Sequence, residues 1–297
     1  MASYVLLEDR GVLALGGEDR VEFLQGLTSN DIAAVGPARA IHTAFLTPQG
    51  KYLHDFFVVA HGDALLLDCE GSRRADLARR LKVYKLRSRV EIADRTDAWA
   101  VAAVFGEGAT DALGGGAIAG AAQPFAGGLA FIDPRLADLG GRVILPAERA
   151  EEKLSAAGLE AAPREAWEAH RLALGVPDGS RDVEVEKATL LEAGFDELNG
   201  IAWKKGCYMG QELTARTKYR GLVKRRLVPV RLDGPPPEPG TEVTRDGKPV
   251  GELRSGLATA EGGLALASIR LDALEDAATL DADGIALHPE KPAWATF

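Results

Sequence analysis

The residue types best suited to chemistry lie in one segment, AWKKGCYMGQELTARTKYRGLVKRR, at positions 202–226. It contains Cys207, which directly follows two lysines and a glycine. Neighbouring ammonium groups and the positive end of a helix favour the thiolate form of cysteine, which is the form that attacks electrophiles or binds metals. Lys204 and Lys205 supply the first condition, and a helix beginning after Gly210 would supply the second. We therefore predict that Cys207 is a reactive thiol and that Lys205 is its catalytic partner.

The alternative for any free cysteine is that it is a small buried residue. We favour that interpretation for Cys69, which lies in the apolar run ALLLDCEG. For Cys207 the flanking residues are basic or glycine rather than apolar, so we favour the reactive interpretation. Glycine at 206 and 210 would also let a ligand approach the backbone closely.

Charge is unevenly distributed along the chain. The formal net charge is −9, yet Trp203–Arg231 contains nine basic residues and one acidic residue, Glu212. Such a segment favours an anionic ligand. A second basic segment, Arg73–Arg89, carries eight basic residues and one acid, Asp76. Its apolar residues are spaced as in a helix that packs through one face, so we interpret its charges as a solvated surface.

Composition and length narrow the class of protein. The 297 residues exceed the usual size of one domain, and 46% are hydrophobic, which is typical of soluble globular proteins. No apolar run approaches the roughly 18 residues of a membrane span, and the acidic residues near the start do not suggest an export signal. Two cysteines far apart suggest a reducing compartment, and the five histidines lack metal-site spacing. We predict a cytoplasmic monomer without membrane or protein-built metal sites.

Local patterns predict a mixed α and β architecture. Residues before 232 alternate short apolar runs and turns with amphipathic helical segments, which is typical of an α+β fold. The segment DGPPPEPG, at 233–240, cannot continue a helix or a central strand, so we predict a domain boundary there. After 240, short apolar runs separated by Gly and Asp turns favour a small all-β barrel or sandwich.

The motifs resemble those of a known family. KKGCYMGQELTART, followed by YRGLVKRR, is similar to the K-G-C-Y-x-G-Q-E signature of the YgfZ-type folate-binding proteins. EDRVEFLQGLTSNDI and TAFLTPQGKYLHDFFV resemble two further segments of that family, in the same order and spacing. Its relatives are mitochondrial iron–sulfur-assembly proteins and, more distantly, the aminomethyltransferase (T-protein) of the glycine cleavage system. The resemblance covers nearly the whole chain.

This resemblance implies a cloverleaf around a folate-binding channel. Residues 1–232 would form a folate-binding α+β region of two interleaved subdomains, and residues 240–297 a C-terminal β-barrel domain. It also implies a role in assembling or repairing iron–sulfur proteins, including tRNA-thiolating enzymes, with tetrahydrofolate or a derivative as ligand. Partners would be iron–sulfur apo-proteins or assembly factors. The positions offered for folate binding are Asn30, Asp31, Asp55, Glu192, Gly206, Tyr208, Gly210, Gln211, Glu212 and Arg216.

Two alternatives to this assignment stay open. The first is folate-dependent aminomethyl or other one-carbon transfer, which would make the protein a tetrahydrofolate-dependent transferase. It ranks second because the T-protein has two adjacent acids where this chain has His54 and Asp55. The second is a tRNA-binding protein, or a weak nucleic-acid contact, through the basic segments. For Asn30 and Asp31, a role in ending a helix competes with folate binding.

Overall fold

The computed structural model describes residues 2–274 and 279–297, so residue 1 and residues 275–278 of the two predicted domains lie outside the described residues. The chain divides into two compact units. The first, here called the sheet unit, comprises Met1–Pro48, Leu53–Trp167 and Leu198–Gln211. The second, the barrel unit, comprises Gln49–Tyr52, Glu168–Glu197 and Glu212–Phe297.

The elements up to residue 173 alternate strands with short helices. The strands are β1 (Ser3–Leu6), β2 (Arg10–Gly16), β3 (Ile41–Leu46), β4 (Tyr52–His61), β5 (Ala64–Glu70), β6 (Glu91–Asp94), β7 (Trp99–Phe105), β8 (Ala122–Phe125), β9 (Gly128–Ile132), β10 (Gly141–Pro146) and β11 (Glu160–Ala161). The helices are α1 (Arg20–Gln25), α2 (Arg74–Lys85), α3 (Ala109–Ala112), α4 (Ala150–Ala156) and α5 (Arg164–Ala173).

These strands form two sheets that interleave along the chain. One has five strands in the order β3-β4-β5-β2-β6, and the other has six in the order β11-β1-β7-β10-β9-β8. Consecutive strands β1 and β2 therefore belong to different sheets. β1 pairs antiparallel with β7 and parallel with β11, whereas β2 pairs antiparallel with β5 and β6. This arrangement confirms the predicted α+β class with two interleaved parts.

Strand β4 lies between β3 and β5 in the five-stranded sheet and is buried on both faces. Its sequence YLHDFFVVAH is buried from Tyr52 to Val59, so apolar residues follow one another instead of alternating with polar ones. Two polar residues, His54 and Asp55, are nevertheless inside. Buried polar side chains require hydrogen-bond partners, and each of these has one, as described below.

A cluster of buried charges joins the two sheets of the sheet unit. Arg10, on β2, donates from Nε to Asp68 Oδ1 at 2.6 Å. Arg142, on β10, donates from Nη1 to Asp68 Oδ2 at 2.9 Å. Asp68 on β5 thereby holds one arginine from each sheet, and all three residues are at least nine-tenths buried.

The cluster continues to the end of β9. Arg135 donates to Asp133 Oδ2 at 2.8 Å, and Arg142 Nε lies 3.7 Å from the same oxygen. Burial opposes ionisation of Asp133, but the two arginines outweigh it and hold the pKa of that carboxyl below its usual value. The guanidinium groups of Arg10, Arg135 and Arg142 lie 4.2–5.9 Å from the centroid of the Phe57 ring, so cation–π contacts add to the ion pairs.

The barrel unit is built on a closed six-stranded barrel. Its order is β12-β15-β14-β13-β16-β17. These strands are β12 (Arg225–Leu232), β13 (Glu242–Arg245), β14 (Lys248–Thr259), β15 (Gly262–Arg270), β16 (Leu280–Ala282) and β17 (Ile285–Pro289), and the remaining helices are α6 (Gly179–Asp182), α7 (Gln211–Tyr219) and α8 (Leu271–Leu274). Closure leaves no free sheet edge. The predicted small all-β fold is thus confirmed as a barrel.

The domain boundary predicted at 233–240 falls inside the barrel unit. β12 precedes the proline-rich segment, yet it pairs with β15 and β17 of the barrel. Proline excludes a helix and a central strand but is tolerated in a connection between strands. The segment is therefore a loop between β12 and β13, and residues 225–232 belong with the barrel rather than with the region before it.

No helix among residues 2–274 and 279–297 is long and apolar enough to cross a membrane.

We predict that His54 makes stability depend on acid pH. Its side chain is buried and its Nε2 lies 3.0 Å from Asp76 Oδ2. Burial, helped by Arg73, lowers its pKa to about 4 from the ordinary histidine value of 6.5. As pH falls, His54 therefore takes up a proton in the unfolded chain at a higher pH than it does in the folded protein. The stability that neutral His54 contributes is fully present above pH 6.5. It is lost as pH falls from 6.5 to 4, which lowers the free energy of unfolding by up to about 3 kcal/mol.

Urea denaturation of wild type and His54→Gln between pH 4 and 7 measures this effect. The glutamine keeps a donor for Asp76 but does not titrate, so the variant should show the smaller loss of unfolding free energy on acidification. His288→Gln, at a solvent-exposed position of the barrel unit, is the matched control. Parallel pH profiles for wild type and His54→Gln would contradict the assignment.

Candidate functional site

The cysteine segment forms a loop that is anchored on the residues after α1. Ala202 N donates to Ser29 O at 3.0 Å, and Met209 N donates to Gly26 O at 3.1 Å. The loop is therefore held near both ends by main-chain hydrogen bonds within the sheet unit. After Gly210, which has a φ of 81°, the chain enters α7, as the sequence predicts.

Lys205 fastens this loop between its two anchors. Its Nζ donates to Thr28 O and to Asn30 O, both at 2.6 Å. The same atom lies 5.1 Å from the centroid of the Tyr208 ring. Burial lowers the pKa of Lys205 to about 8, against the opposing effect of Asp31. These contacts give Lys205 a structural role, as a clamp, besides the role beside the thiol that the sequence suggests.

The two cysteines lie in opposite environments. Cys207 is exposed on the clamped loop, whereas Cys69 is buried on β5. The Cys69 thiol donates to Gly11 O at 3.5 Å, and burial raises its pKa to about 12. A Cβ at Gly206 would meet nothing within 4 Å, so the backbone beside Cys207 is open to solvent. Cys207 is thus the accessible thiol of the pair.

A cavity of about 440 Å³ lies beside the segment that Lys205 clamps. We call it the Asn30 cavity. Its lining residues are Asn30, Asp31, Ala34, Arg39, Ala40, Ile41, Ala119, Pro134, Asn199 and Ile201. Asn30 and Asp31, which the sequence nominated for ligand binding, are thus together at one cavity.

Hydrogen bonds hold the amide groups at this cavity in place. Asn30 Nδ2 donates to His42 O and to Asn199 O, both at 2.7 Å. Asn199 Nδ2 in turn donates to Pro134 O at 3.2 Å. Asp31 caps the start of a short 3₁₀ helix, Ile32–Ala34, by accepting from Ala33 N, so it begins this helix and does not end α1. The cavity wall is therefore a fixed polar surface.

Asp55 is not among the residues lining the Asn30 cavity. Its carboxylate accepts from His42 Nε2 at 2.8 Å, and both side chains are buried. Burial lowers the pKa of His42, although Asp55 opposes this, so the imidazole is neutral near pH 7. Since His42 O holds Asn30, Asp55 acts on the cavity wall through His42.

Three of the predicted folate-binding residues belong to the barrel unit. Glu192 accepts from Thr189 N at 2.7 Å and lines a cavity of about 300 Å³. Glu212 and Arg216, on α7, form an exposed ion pair with each other at 2.9 Å. Such surface pairs contribute little to stability. Gln211 is the first residue of α7.

Sequence reasoning missed three residues of this site: His42, Arg39 and Asn199. Asn199 has a φ of 55°, a conformation that asparagine tolerates better than most residues. The dipeptide Asn199-Gly200 was the available signal, because such pairs mark turns. A single histidine or arginine in an unremarkable segment gave no comparable signal.

Comparison with known proteins identifies the family. The model of the CAF17 C-terminal β-barrel domain matches residues 224–297. The chain is 32% identical over 274 residues to the human mitochondrial iron–sulfur cluster assembly factor IBA57, covering 84% of this chain and 73% of that protein. The chain belongs to the IBA57 family. The iron–sulfur-assembly part of the resemblance seen in the sequence is thereby confirmed.

Other IBA57 relatives are longer. The chain is 33% identical over 247 residues to the IBA57 homologue of Mycosarcoma maydis, a match that covers 77% of this chain and 57% of that protein.

Among solved structures, the glycine cleavage aminomethyltransferase T of Bartonella henselae superposes with a TM-score of 0.81 over 99% of this chain and 86% of that one, at 16% identity. The T-protein-like fold with a C-terminal barrel is therefore confirmed.

The prediction of a cytoplasmic location is wrong by this comparison. The IBA57 relatives from human, Mycosarcoma maydis and Neurospora crassa are all named mitochondrial. The prediction rested on cysteine usage, which argues only against compartments that form disulfides. It does not separate one reducing compartment from another.

We predict that iodoacetamide alkylates Cys207 in the folded protein and leaves Cys69 unmodified. Exposure admits the reagent at Cys207, whereas burial and a raised pKa keep Cys69 in the unreactive thiol form. Peptide mass spectrometry after brief labelling near pH 7.5 gives the order of reaction. Labelling in urea provides the control, because both cysteines should then react. Modification of Cys69 first in the native protein would contradict the structure.

We also predict that Lys205→Met destabilises the fold while Lys204→Met does not. Lys205→Met removes two hydrogen bonds and leaves two main-chain carbonyls without that donor. We expect this to lower the free energy of unfolding by roughly 1–3 kcal/mol. Lys204 is exposed, and such surface changes usually stay within about 0.5 kcal/mol. Urea denaturation measures the stability, and hydrogen exchange at the Met209 amide reports on the loop. Equal stability of the two variants would mean that Lys205 is not a clamp.

Proposed function

We propose that this protein supports the assembly or repair of iron–sulfur clusters and that Cys207 is the residue that contacts the cluster. The observation that carries the proposal is the exposed Cys207 thiol on a loop that Lys205 and main-chain hydrogen bonds hold in place. A fixed, accessible thiol suits brief contact with a metal centre. Membership of the IBA57 family supports the same role.

The chemistry of cluster binding explains why a partner is needed. Iron–sulfur clusters are commonly held by four cysteine thiolates. Within residues 1–297 Cys207 supplies one such ligand, and Cys69 is buried with a raised pKa. The remaining ligands come from a second protein, either an iron–sulfur apo-protein or another assembly factor. The tRNA-thiolating enzymes named by the sequence resemblance are candidate recipients.

A tetrahydrofolate or a derivative is the ligand we propose for the Asn30 cavity. Its volume of about 440 Å³ lies in the range of small-molecule sites. The carboxylate of Asp31 and the amide oxygens of Asn30 and Asn199 offer acceptors for the N–H groups of a pterin ring, while both amide nitrogens already donate to main-chain carbonyls. The guanidinium of Arg39 suits the glutamate carboxylates of a folate. The residues present therefore fit the group by the size of the cavity, by its acceptor oxygens and by the guanidinium of Arg39.

Each residue has a distinct task in this proposal. Bound folate would carry a one-carbon unit. Asn30 and Asn199 orient the ring because their amides are fixed, and Asp55 acts through His42 by keeping Asn30 in position. Lys205 couples this cavity to the cysteine, since its ammonium group binds the carbonyl of Asn30 and lies two residues from Cys207.

We predict that tetrahydrofolate binds and that Arg39→Gln weakens its affinity about tenfold, the loss expected for one charge-assisted hydrogen bond. Anaerobic calorimetry measures the dissociation constants. Glu192→Ala, at the cavity of the barrel unit, is the matched variant and tests the position that the sequence suggested. Weakening by Glu192→Ala alone would move the ring away from the Asn30 cavity. Absence of binding to wild type would remove the folate proposal but leave that for Cys207 intact.

We predict that Cys207→Ser keeps the melting temperature and folate affinity of wild type but fails to restore iron–sulfur enzyme activity in cells lacking the protein. Cys69→Ser is the control for loss of a thiol and should restore activity to the extent that it folds. Full restoration by Cys207→Ser would overturn the role of the thiol. A salt titration with tRNA tests the remaining alternative, since phosphate binding weakens steeply with salt.

A further inference from the structure

The end of α2 carries an exposed apolar surface that the proposed function does not use. Val83, Tyr84 and Leu86 have exposed fractions of 63%, 38% and 89%. We call residues 82–87 the α2 patch. Large apolar side chains grouped on a surface mark interaction sites more often than isolated ones do.

The backbone holds Leu86 outward. Leu86 has a φ of 43° and a ψ of −109°, a left-handed conformation that leucine adopts at a cost. Hydrogen bonds fix the turn that follows, because Ser88 N donates to Lys85 O at 2.8 Å and Arg89 N donates to Asp19 Oδ2 at 2.7 Å. A strained conformation that persists in a hydrogen-bonded turn is typical of functional sites.

A glycine on the opposite side of the turn permits this geometry. Gly17 has a φ of 96°, and a Cβ there would lie 2.0 Å from Arg89 O. The turn at 86–90 therefore packs directly against the backbone at 17–19. Leu86 stays exposed because these contacts hold the turn that follows it against residues 17–19.

A groove adjoins the patch. Its volume is about 830 Å³, and its lining residues are Asp19, Glu22, Phe23, Leu86, Arg87 and Ser88. Phe23 and Leu86 are the apolar residues of this lining. The groove therefore combines apolar and charged lining residues, which suits an inserted apolar side chain from a charged segment.

The cations of the patch are available to a partner. Elsewhere on α2, Arg79 and Arg80 pair with Asp76, and Arg74 pairs with Asp94. Within residues 2–274 and 279–297, by contrast, no ion pair involves Lys82, Lys85 or Arg87, the three cations that flank the exposed apolar residues. Their charge is thus free to meet acidic groups of another molecule.

We propose that the α2 patch docks an acidic segment of a partner protein that inserts a leucine or phenylalanine into the groove. The three cations meet the acidic residues, and Phe23 with Leu86 receives the apolar side chain. Glu22, which also lines the groove, disfavours a phosphate-rich occupant, either a nucleic acid or an anionic membrane, because its carboxylate repels phosphate. A protein segment can instead place its own basic or polar residue there.

A labelled peptide tests the proposal. The probe is a 16-residue helical peptide with glutamate on one face and leucine at every third or fourth position, and the comparison peptide has glutamine for glutamate. Fluorescence anisotropy should show binding of the acidic peptide to wild type, with at least tenfold weaker binding to Leu86→Gly and to Lys82→Glu/Lys85→Glu. Leu86→Gly should melt at or above the wild-type temperature, since glycine adopts this φ without strain.

Matched variants give the controls. Ile118→Gly removes an apolar side chain that is 65% exposed elsewhere, and Lys248→Glu reverses an exposed charge on the barrel. Both should bind the acidic peptide as wild type does. No binding, or equal binding of the glutamine peptide, would overturn the proposal. So would tighter binding of a phosphatidylserine vesicle or an RNA oligonucleotide, or a wild-type dimer in sedimentation that Leu86→Gly converts to monomer.

Discussion

Asp68 binds one arginine from each sheet of the sheet unit, and the way the two sheets meet depends on this double contact. Burying charges is costly, and a buried carboxylate that loses a partner destabilises a protein by several kcal/mol. Here Arg10 and Arg142 share Asp68, and Arg142 also lies beside Asp133 and over the ring of Phe57. An apolar core would tolerate slippage between the sheets, whereas directional ion pairs permit few arrangements.

Hydrogen bonds connect this buried charge cluster to the candidate site. Arg135, which pairs with Asp133, also accepts a hydrogen bond at its main-chain oxygen from Asn199 Nδ2 at 3.4 Å. Asn199 holds Asn30, and Lys205 holds the carbonyl of Asn30. A continuous set of polar contacts therefore leads from the buried charges to the loop that bears the thiol, all within one unit. Preorganised polar surfaces of this kind bind ligands without first being ordered.

Local sequence patterns were sufficient to predict helices whose residue spacing and turn residues lie within a few positions of one another. The helix of the basic segment and the helix after Gly210 both form as predicted, because helical spacing and turn residues act over a few positions. Pairing partners could not be predicted in this way. Nothing in adjacent β1 and β2 shows that they join different sheets, and nothing local shows that Lys205 reaches two carbonyls far away in the chain.

The position of β12 has a consequence for how the chain is made. This strand closes the barrel by pairing with β15 on one edge and β17 on the other. In a chain that emerges amino-terminus first, from a ribosome or a translocation channel, one edge of β12 stays open until Gly262–Arg270 follows and the other until Ile285–Pro289 follows. Open edges invite pairing with other molecules. Pro229 and the arginines at both ends of β12 oppose such pairing, so the strand carries its own protection against aggregation while the barrel is incomplete.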